Sequence, residues 1–429
     1  MNYNVLVLGS GGREHALAWK ISKSKKLEKL FCLPGNPGME KLSELIPGSV
    51  EDFNLIKSTV LEHKIDLVVC GPENPLVNGI RDFFENDPSL KKVLFIGPAK
   101  TGAMLEGSKK FAKTFMQNHN IPTARYKTFT KGEEKEAADF LETLNPPYVL
   151  KADGLAAGKG VLILDDKQEA IDSINEMFSG KFSDAGKTVL IEEFLSGIEA
   201  SVFVLTDGKD YMILPEAKDY KRISENDTGL NTGGMGAVSP VPFADKAFMQ
   251  KVENRIIKPT IQGLQEDKIP YCGFIFIGLM KHDNEPYVIE YNVRMGDPET
   301  EAVMPRIESD FLSHLIAAAE FRLSEETIKI SKKTALTVIA VSKGYPESYK
   351  KGYTITGLDN METEDNVILF HSGTKSDDLV IKTAGGRVLA ITALSNNIIG
   401  SRAKAYDNIK KIEFDGINYR RDIGFDLLK

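Results

Sequence analysis

The densest chemistry in the chain lies in Tyr287–Thr300, which reads Tyr-Val-Ile-Glu-Tyr-Asn-Val-Arg-Met-Gly-Asp-Pro-Glu-Thr. On an extended strand the period of two puts Glu290, Asn292 and Arg294 on one face, with Val288 further back on that face. A carboxylate and an amide oxygen two residues apart suit Mg²⁺, which keeps waters and phosphate oxygens as its other ligands. Arg294, one step on, can clamp a carboxylate or phosphate with two N–H bonds. Its plain structural alternative is an ion pair with Asp297 or Glu299. A merely solvated strand face is disfavoured, because the preceding Gly273–Met280 is almost wholly apolar and reads as a central strand. That strand brings no acid, which leaves the metal one evident carboxylate.

Two glycine loops could hold anions. Gly9-Ser10-Gly11-Gly12 follows the apolar run Asn4–Leu8 and precedes Ala16, Leu17, Trp19, Lys20 and Ile21 at helical spacing. Strand, glycine loop and helix together let an anion approach backbone amides and a helix N-terminus. The dinucleotide fingerprint needs a third glycine where Glu14 stands, so a nicotinamide reading weakens. The bland alternative is a tight turn, with His15 a structural residue at the helix start. The second loop, Ala152-Asp153-Gly154-Leu155-Ala156-Ala157-Gly158-Lys159-Gly160, fails the P-loop spacing: Asp153 stands where glycine is needed, and Gly160 where Ser or Thr is needed. Its flanks, Tyr148–Lys151 and Val161–Leu164, both read as strands. A glycine-rich hairpin tip that closes over phosphates fits better than a P-loop, with Lys151 offering a point charge. An ordinary exposed hairpin is the alternative.

Glu192, Glu193, Phe194, Leu195 and Glu199 leave another strand-like run, Val189–Glu193, with acids at its end; alone this could be a surface edge. The polar, glycine-rich stretch from Asp219 to Gly236 is of a length that is commonly functional. No Ser-His-Asp or Cys-His order is present, and six scattered histidines give no zinc spacing.

These residues need several elements to position them, and 429 residues suffice for about three domains. Runs at Asn4–Leu8, Leu67–Cys70 and Val93–Ile96, alternating with helix-length stretches, predict a parallel α/β sheet over 1–101. Residues 102–323 read as a second domain, with 123–188 a smaller unit inside it, and 324–429 as a third, β-rich one. The fold class is thus α/β and α+β, multidomain. Helices are expected at Gly107–Asn120, at Ala244–Gln265 with Pro259 ending or kinking it, and at Asn396–Lys411. Strands are expected at Ser201–Leu205, Thr334–Val341, Val367–His371 and Arg387–Ala393. The 54 basic against 61 acidic residues, a net charge of −7, argue against a bulk nucleic-acid binder. Cys32, Cys70 and Cys272 sit apart in apolar runs, which points to a reducing, cytoplasmic compartment. No run of 18 apolar residues suggests a membrane span.

Taken in order, Gly9–His15, Gly71-Pro-Glu-Asn-Pro-Leu76, Gly107-Ser-Lys109, Lys151–Gly160, Glu192-Glu-Phe194, Asn231-Thr-Gly-Gly-Met-Gly-Ala237, Asn292–Thr300 and Ala384–Leu389 resemble the phosphoribosylamine–glycine ligase family, ATP-grasp enzymes, over essentially the whole chain. The resemblance implies a pre-ATP-grasp N-terminal domain, a two-part ATP-grasp fold and a small β-rich C-terminal domain. It implies joining of glycine to 5-phosphoribosylamine with ATP, through glycyl phosphate, in purine synthesis. By the same resemblance Lys109, Lys151 and the loop residues Gly154, Gly158, Lys159 and Gly160 bind ATP phosphates. Glu192, Glu193, Phe194 and Leu195 line the adenine pocket, and Glu199 meets the ribose. Glu290 and Asn292 hold Mg²⁺ or Mn²⁺. Gly9, Ser10, Gly11, Gly12 and Glu73 receive phosphoribosylamine, while Arg294, Asp219, Asn231, Gly233 and Gly234 surround glycine and the acyl phosphate. Lys151, Asp219 and Arg294 are the implied catalytic set, in a monomer. Two departures fall in the substrate loop: Tyr220 where the family has His, and Leu230 where it has Pro. Glu14 counts against an oxidoreductase; the retained lysines and the Glu290–Asn292 pair count against a non-catalytic scaffold. Another ATP-grasp ligase, such as a purine-pathway carboxylase, is the runner-up.

Overall fold

The computed structural model describes residues 2–154, 160–181, 187–361 and 366–428. Its first sheet is wholly parallel: Tyr3–Gly9 (β1), Leu27–Pro34 (β2), Glu44–Leu45 (β3), Leu67–Cys70 (β4) and Leu94–Ile96 (β5), in the order β3-β2-β1-β4-β5. The continuous apolar runs of β1 and β4 follow from burial on both faces. The strand order reverses beside β1, so the loops after β1 and β4 open on one crevice at the strands' carboxyl ends.

A smaller sheet follows, built from Tyr126–Thr130 (β6), Tyr148–Ala152 (β7), Val161–Leu164 (β8) and Thr188–Glu193 (β9), in the order β6-β9-β7-β8. β7 and β8 are antiparallel, and the Ala152 N–H donates to the Gly160 carbonyl at 2.8 Å, so the second glycine loop is a hairpin tip. Of that tip, Gly158 and Lys159 lie outside the described residues.

Ile198–Thr206 (β10) and Tyr211–Ile213 (β11) open the next sheet. The chain then passes through Lys218–Asp219 (β12), Arg222–Ser224 (β13), Thr228–Asn231 (β14) and Gly236–Ser239 (β15), before Gly273–His282 (β16) and Glu285–Asn292 (β17) complete the antiparallel order β11-β10-β16-β17. The helix expected to end or kink at Pro259 does not end there. A wide turn at Glu253–Ile257 joins Lys246–Val252 to Lys258–Glu266 and absorbs the missing N–H near the start of the second piece.

Thr334–Val341 (β18), Val367–His371 (β19), the hairpin Thr374–Asp377 (β20) and Val380–Thr383 (β21), and Arg387–Ser395 (β22) form the C-terminal unit with the helix Ile398–Ile409. Its main sheet has the order β12-β15-β18-β22-β19, so two strands from the middle of the chain complete it. One apolar core runs from Val5 and Val7 through Phe203, Phe274 and Phe311 to Ile339 and Phe370, while the smaller sheet keeps its own core around Phe129, Leu150 and Ile191.

Candidate active site

β16 and β17 present the predicted metal pair. Opposite Gly278 lies Glu290, yet opposite Leu279 lies Val288, so Ile289 is an extra residue in the ladder. This bulge corrects the expected alternation. Val288 turns into the core with Tyr291 and Val293, away from Glu290, Asn292 and Arg294. Gly278 leaves room at Glu290, where a Cβ would meet Glu290 Cγ at 3.2 Å. Glu290 is half-buried and makes no hydrogen bond among the described residues, while Asn292 Oδ1 accepts from Arg294 at 3.2 Å. Free carboxylate oxygens beside an amide oxygen, facing Lys109, fit a divalent cation with oxygen ligands.

Lys109 begins the helix Lys109–Asn118, capped by Ser108, whose hydroxyl also donates to Asp153 at 3.1 Å. Lys109 Nζ donates to the Gly154 carbonyl at 2.9 Å, at the base of the hairpin tip. Burial pulls its amine down, and the Glu290 carboxylate opposes that pull. Lys151, from β7, lies 3.0 Å from Glu192 Oε2, which Lys113 also approaches at 3.1 Å. Burial would raise the Glu192 pKa, but Lys151 and Lys113 hold it below the usual carboxylate range, while burial pulls Lys113 down to about 8. Two lysines thus share one carboxylate, an excess of positive charge that suits a nearby polyphosphate. The Glu192 side chain is thus committed to lysines. Glu193 accepts from the Arg125 N–H at 2.7 Å, and Phe194 is exposed beside Leu195.

The first glycine loop is shaped by Glu14. Its carboxylate accepts the Gly11 N–H at 2.7 Å and fills the space that a Cβ on Gly9 or Gly71 would need. Gly9 has φ +119°, a backbone that favours glycine. Beside Glu14, Arg13 lies 3.9 Å from Glu73, and Glu73 lies 3.5 Å from Arg294 Nε. Burial works against the charge on Glu73, and Arg294 and Arg13 hold its pKa below the ordinary value. Arg294 also pairs with the buried Glu106 at 2.8 Å, whose other oxygen accepts the Val293 N–H at 2.8 Å. Neither Asp297 nor Glu299 is its partner, contrary to the structural alternative: Asp297 pairs with Arg387 at 3.0 Å, and Glu299 accepts from Ser201 at 3.1 Å. Below the loop, Gly12 packs on Glu301, whose two carboxyl oxygens are buried without hydrogen bonds. Burial and the nearby Asp297 push Glu301 well above the ordinary carboxylate range.

His15 is buried in the first helix, where its Nδ1 accepts the His371 N–H at 2.9 Å. Burial pushes His15 down to about 3 and His371 to about 4, from 6.5. An unfolded chain then binds more protons than the folded one between those values and 6.5. Stability is therefore full above about pH 6.5 and is lost as the pH falls toward 3. His15→Asn should flatten this acid limb, read as urea midpoints at pH 7 and pH 4.5; an unchanged slope would refute the assignment.

The substrate loop runs along the C-terminal sheet. Lys221 pairs with Glu199; against the pull of burial, Glu199, Asp219 and Glu290 hold the lysine charged. Asp219 is raised by burial despite Lys221, and Glu299 is pushed up to about 7 by burial and by Asp219. These groups gather with Glu290 on one side. Tyr220 points the other way, into the C-terminal core, so its departure from the family pattern does not touch the ligand side. Leu230 is half exposed, and Asn231 is exposed at the end of β14. Gly233 and Gly234 bring the loop back to Arg387 and Pro298: Arg387 donates to the Gly233 carbonyl, and a Cβ on Gly234 would collide with Pro298. Sequence reasoning gave no role to Lys113, Glu106, Glu301 or Arg387. Each is charged yet nine-tenths or more buried or pinned by opposite charge. Their only trace was Arg387 within the quoted Ala384–Leu389 motif.

Comparison with known proteins bears on what this arrangement serves. Phosphoribosylglycinamide synthetase family models match along the chain: the N domain at residues 3–106, the ATP-grasp (A) domain at 107–300 and the C domain at 335–426. A phosphoribosylamine–glycine ligase of Caldanaerobacter subterraneus subsp. tengcongensis is 44% identical over 420 residues, covering 98% of this chain and 99% of that protein. A bifunctional purine biosynthetic protein of Pichia angusta is 43% identical, covering 99% of this chain and 54% of its own length. The crystal structure of phosphoribosylamine–glycine ligase from Thermotoga maritima superposes with a TM-score of 0.85 at 35% identity, covering 98% of this chain and all of that one. A biotin carboxylase domain from Hydrogenobacter thermophilus, solved with MgADP, shares the fold at a TM-score of 0.71 and 16% identity. Matched by all three domain models and over 98% of its length by a ligase 44% identical to it, the chain belongs to the phosphoribosylamine–glycine ligase family, the ATP-dependent ligases of purine biosynthesis.

Proposed function

We propose that ligation runs through glycyl phosphate in the space between Glu290, Arg294, Asp219 and the Gly9–Gly12 loop. One observation carries this reading: Arg294 is joined through Glu73 to Arg13 of the glycine loop and through its own hydrogen bond to Asn292 of the metal strand. A single guanidinium thus spans the side that receives the amine and the side that receives the nucleotide. Lys109 and Lys151 take the ATP phosphates, with Glu192 fixing Lys151. Gly154 and Gly160, at the two ends of the hairpin tip, serve the same phosphates, a role that the family resemblance gives also to Gly158 and Lys159; Glu193, Phe194 and Leu195 flank the adenine, and Glu199 the ribose edge. Glu290 and Asn292 would hold Mg²⁺ or Mn²⁺, which supplies neutralisation of the phosphate oxygens. The glycine carboxylate attacks the γ-phosphorus and ADP leaves. The amine of phosphoribosylamine, seated by Gly9, Ser10, Gly11, Gly12 and Glu73, then attacks the acyl carbon and expels phosphate. Arg294 steadies the carboxylate and then the acyl phosphate, beside Asp219, Asn231, Gly233 and Gly234. Catalysis is mainly positioning and charge neutralisation.

On this reading residues 1–101 supply the amine pocket, 102–323 the nucleotide site with 123–188 as its lid, and 324–429 the backing for the substrate loop. We assign the enzyme to the cytoplasm as a monomer. The three cysteines are free and buried, as a reducing compartment permits, and no described helix is long and apolar enough to cross a membrane. Glycine labelled with ¹⁸O in both carboxylate oxygens tests the route. Glycyl phosphate passes one labelled oxygen to the released phosphate, and unlabelled phosphate from a turning-over enzyme would overturn it. ADP release should require glycine, phosphoribosylamine and ATP together.

A further inference from the structure

The substrate loop has an unusual support. β12 and its continuation alternate sides: Asp219 and Lys221 face Glu199 and Glu290, whereas Lys218 and Tyr220 face the C-terminal segment. Tyr220 is 2% exposed and donates its hydroxyl to Asp426 Oδ1 at 2.6 Å, while that hydroxyl accepts the Gly424 N–H at 3.0 Å. Lys218 Nζ reaches the other oxygen of Asp426 at 3.0 Å and lies 3.9 Å over the Tyr220 ring. The far arm of the loop is gripped by the same segment. Arg420, 2% exposed, pairs with Asp227 at 2.6 Å and Asp422 at 2.7 Å and donates to the Arg222 carbonyl at 3.1 Å; Asp422 accepts the Asn226 N–H at 2.8 Å.

We propose that the segment Arg420–Asp426 is a brace that sets the position of Asp219 and Lys221, with Tyr220 and Asp426 as positioning residues for the glycine half of the reaction. The brace touches no expected ligand position; it acts through a strand whose successive side chains are committed to opposite sides. Because Asp219 and Lys221 are the immediate chain neighbours of Tyr220, loosening the tyrosine displaces the charges that meet glycine. A displacement of about 1 Å in a reacting geometry can cost as much as a hundredfold in rate. The inference rests on the placement of Asp219 at the glycine site.

Three variants of the full chain test it: Tyr220→Phe, Asp426→Ala and Asp426→Asn. The amide still accepts from the Tyr220 hydroxyl but loses the Lys218 ion pair, so it should act more mildly than alanine. Asp426→Ala should raise the KM for glycine roughly tenfold and lower kcat, and Tyr220→Phe roughly threefold, while the affinity for a fluorescent ATP analogue stays within twofold. A double Tyr220→Phe, Asp426→Ala variant should cost less than the product of the two single effects, since the Tyr220–Asp426 contact is common to both while the Gly424 bond is lost only with phenylalanine and the Lys218 pair only with alanine. A structural role alone would lower the melting temperature and the fraction of active enzyme while leaving the KM for glycine unchanged, and that result overturns the proposal. Asp219→Asn, run in parallel, separates the two readings. If it spares glycine kinetics, the site assignment fails and the brace with it; if it impairs them while the brace variants do not, the brace alone fails.

Discussion

Glu290→Gln lowers turnover by roughly three orders of magnitude with little loss of folding stability. The amide keeps the volume of the side chain, so Gly278 across the strand pair still fits and no cavity opens. What disappears is a carboxylate that lacks a hydrogen bond among the described residues and sits among cations. Lys109 loses the charge that opposes its burial, so its amine falls further, and Lys221 loses one of three carboxylates that hold it charged. On the proposed roles, the variant therefore loses the carboxylate of the metal pair and weakens a phosphate lysine at once. Steady-state kcat and a melting curve read both halves: full activity would remove Glu290 from the metal, and a collapsed melting temperature would show a structural part for it.

Arg294→Lys should keep ATP affinity nearly normal yet lose roughly a hundredfold in glycine-dependent turnover. An ammonium can sit near Glu106 or Glu73 but cannot bridge both and still reach Asn292, as the guanidinium does. Glu106 is buried and already raised by burial against the lowering effect of Arg294, so a poorer partner drives it toward its neutral form. The link from the glycine loop to the metal strand is then broken at its centre. Binding of a fluorescent ATP analogue and a glycine titration decide the case. Lost nucleotide affinity with intact glycine kinetics would move Arg294 to the ATP side.

The strands most legible in the sequence were those whose burial is written in a continuous run. Leu67–Cys70, Val161–Leu164, Thr334–Val341 and Val367–His371 stand at their expected limits, because apolar or β-branched runs end there in turn residues. The site motifs were legible where the chemistry is local, as in Glu290, Asn292 and Arg294 on one face. The bulge at Ile289 was not, because one extra residue in a ladder leaves no mark on composition. Short strands such as Lys218–Asp219 were invisible for another reason: only pairing with Gly236–Ser239, across the intervening loop, makes the two residues a strand. Lys113 and Glu106 carried no reading in the sequence, and only tertiary packing shows that each is buried against an opposite charge.

The sharing of β12 and β15 with the C-terminal sheet also sets an order of assembly during synthesis. β15 pairs with β18, which leaves the ribosome much later, so the earlier sheets can close while the loop that carries Asp219 still lacks its platform. On the proposed site, the nascent enzyme would thus complete its nucleotide and glycine sides at different times. A chain halted at residue 323 would present β15 as an open edge, prone to pair with a neighbour. Such a fragment should elute as an aggregate, whereas a soluble, monodisperse one would show that β15 can wait unpaired without harm.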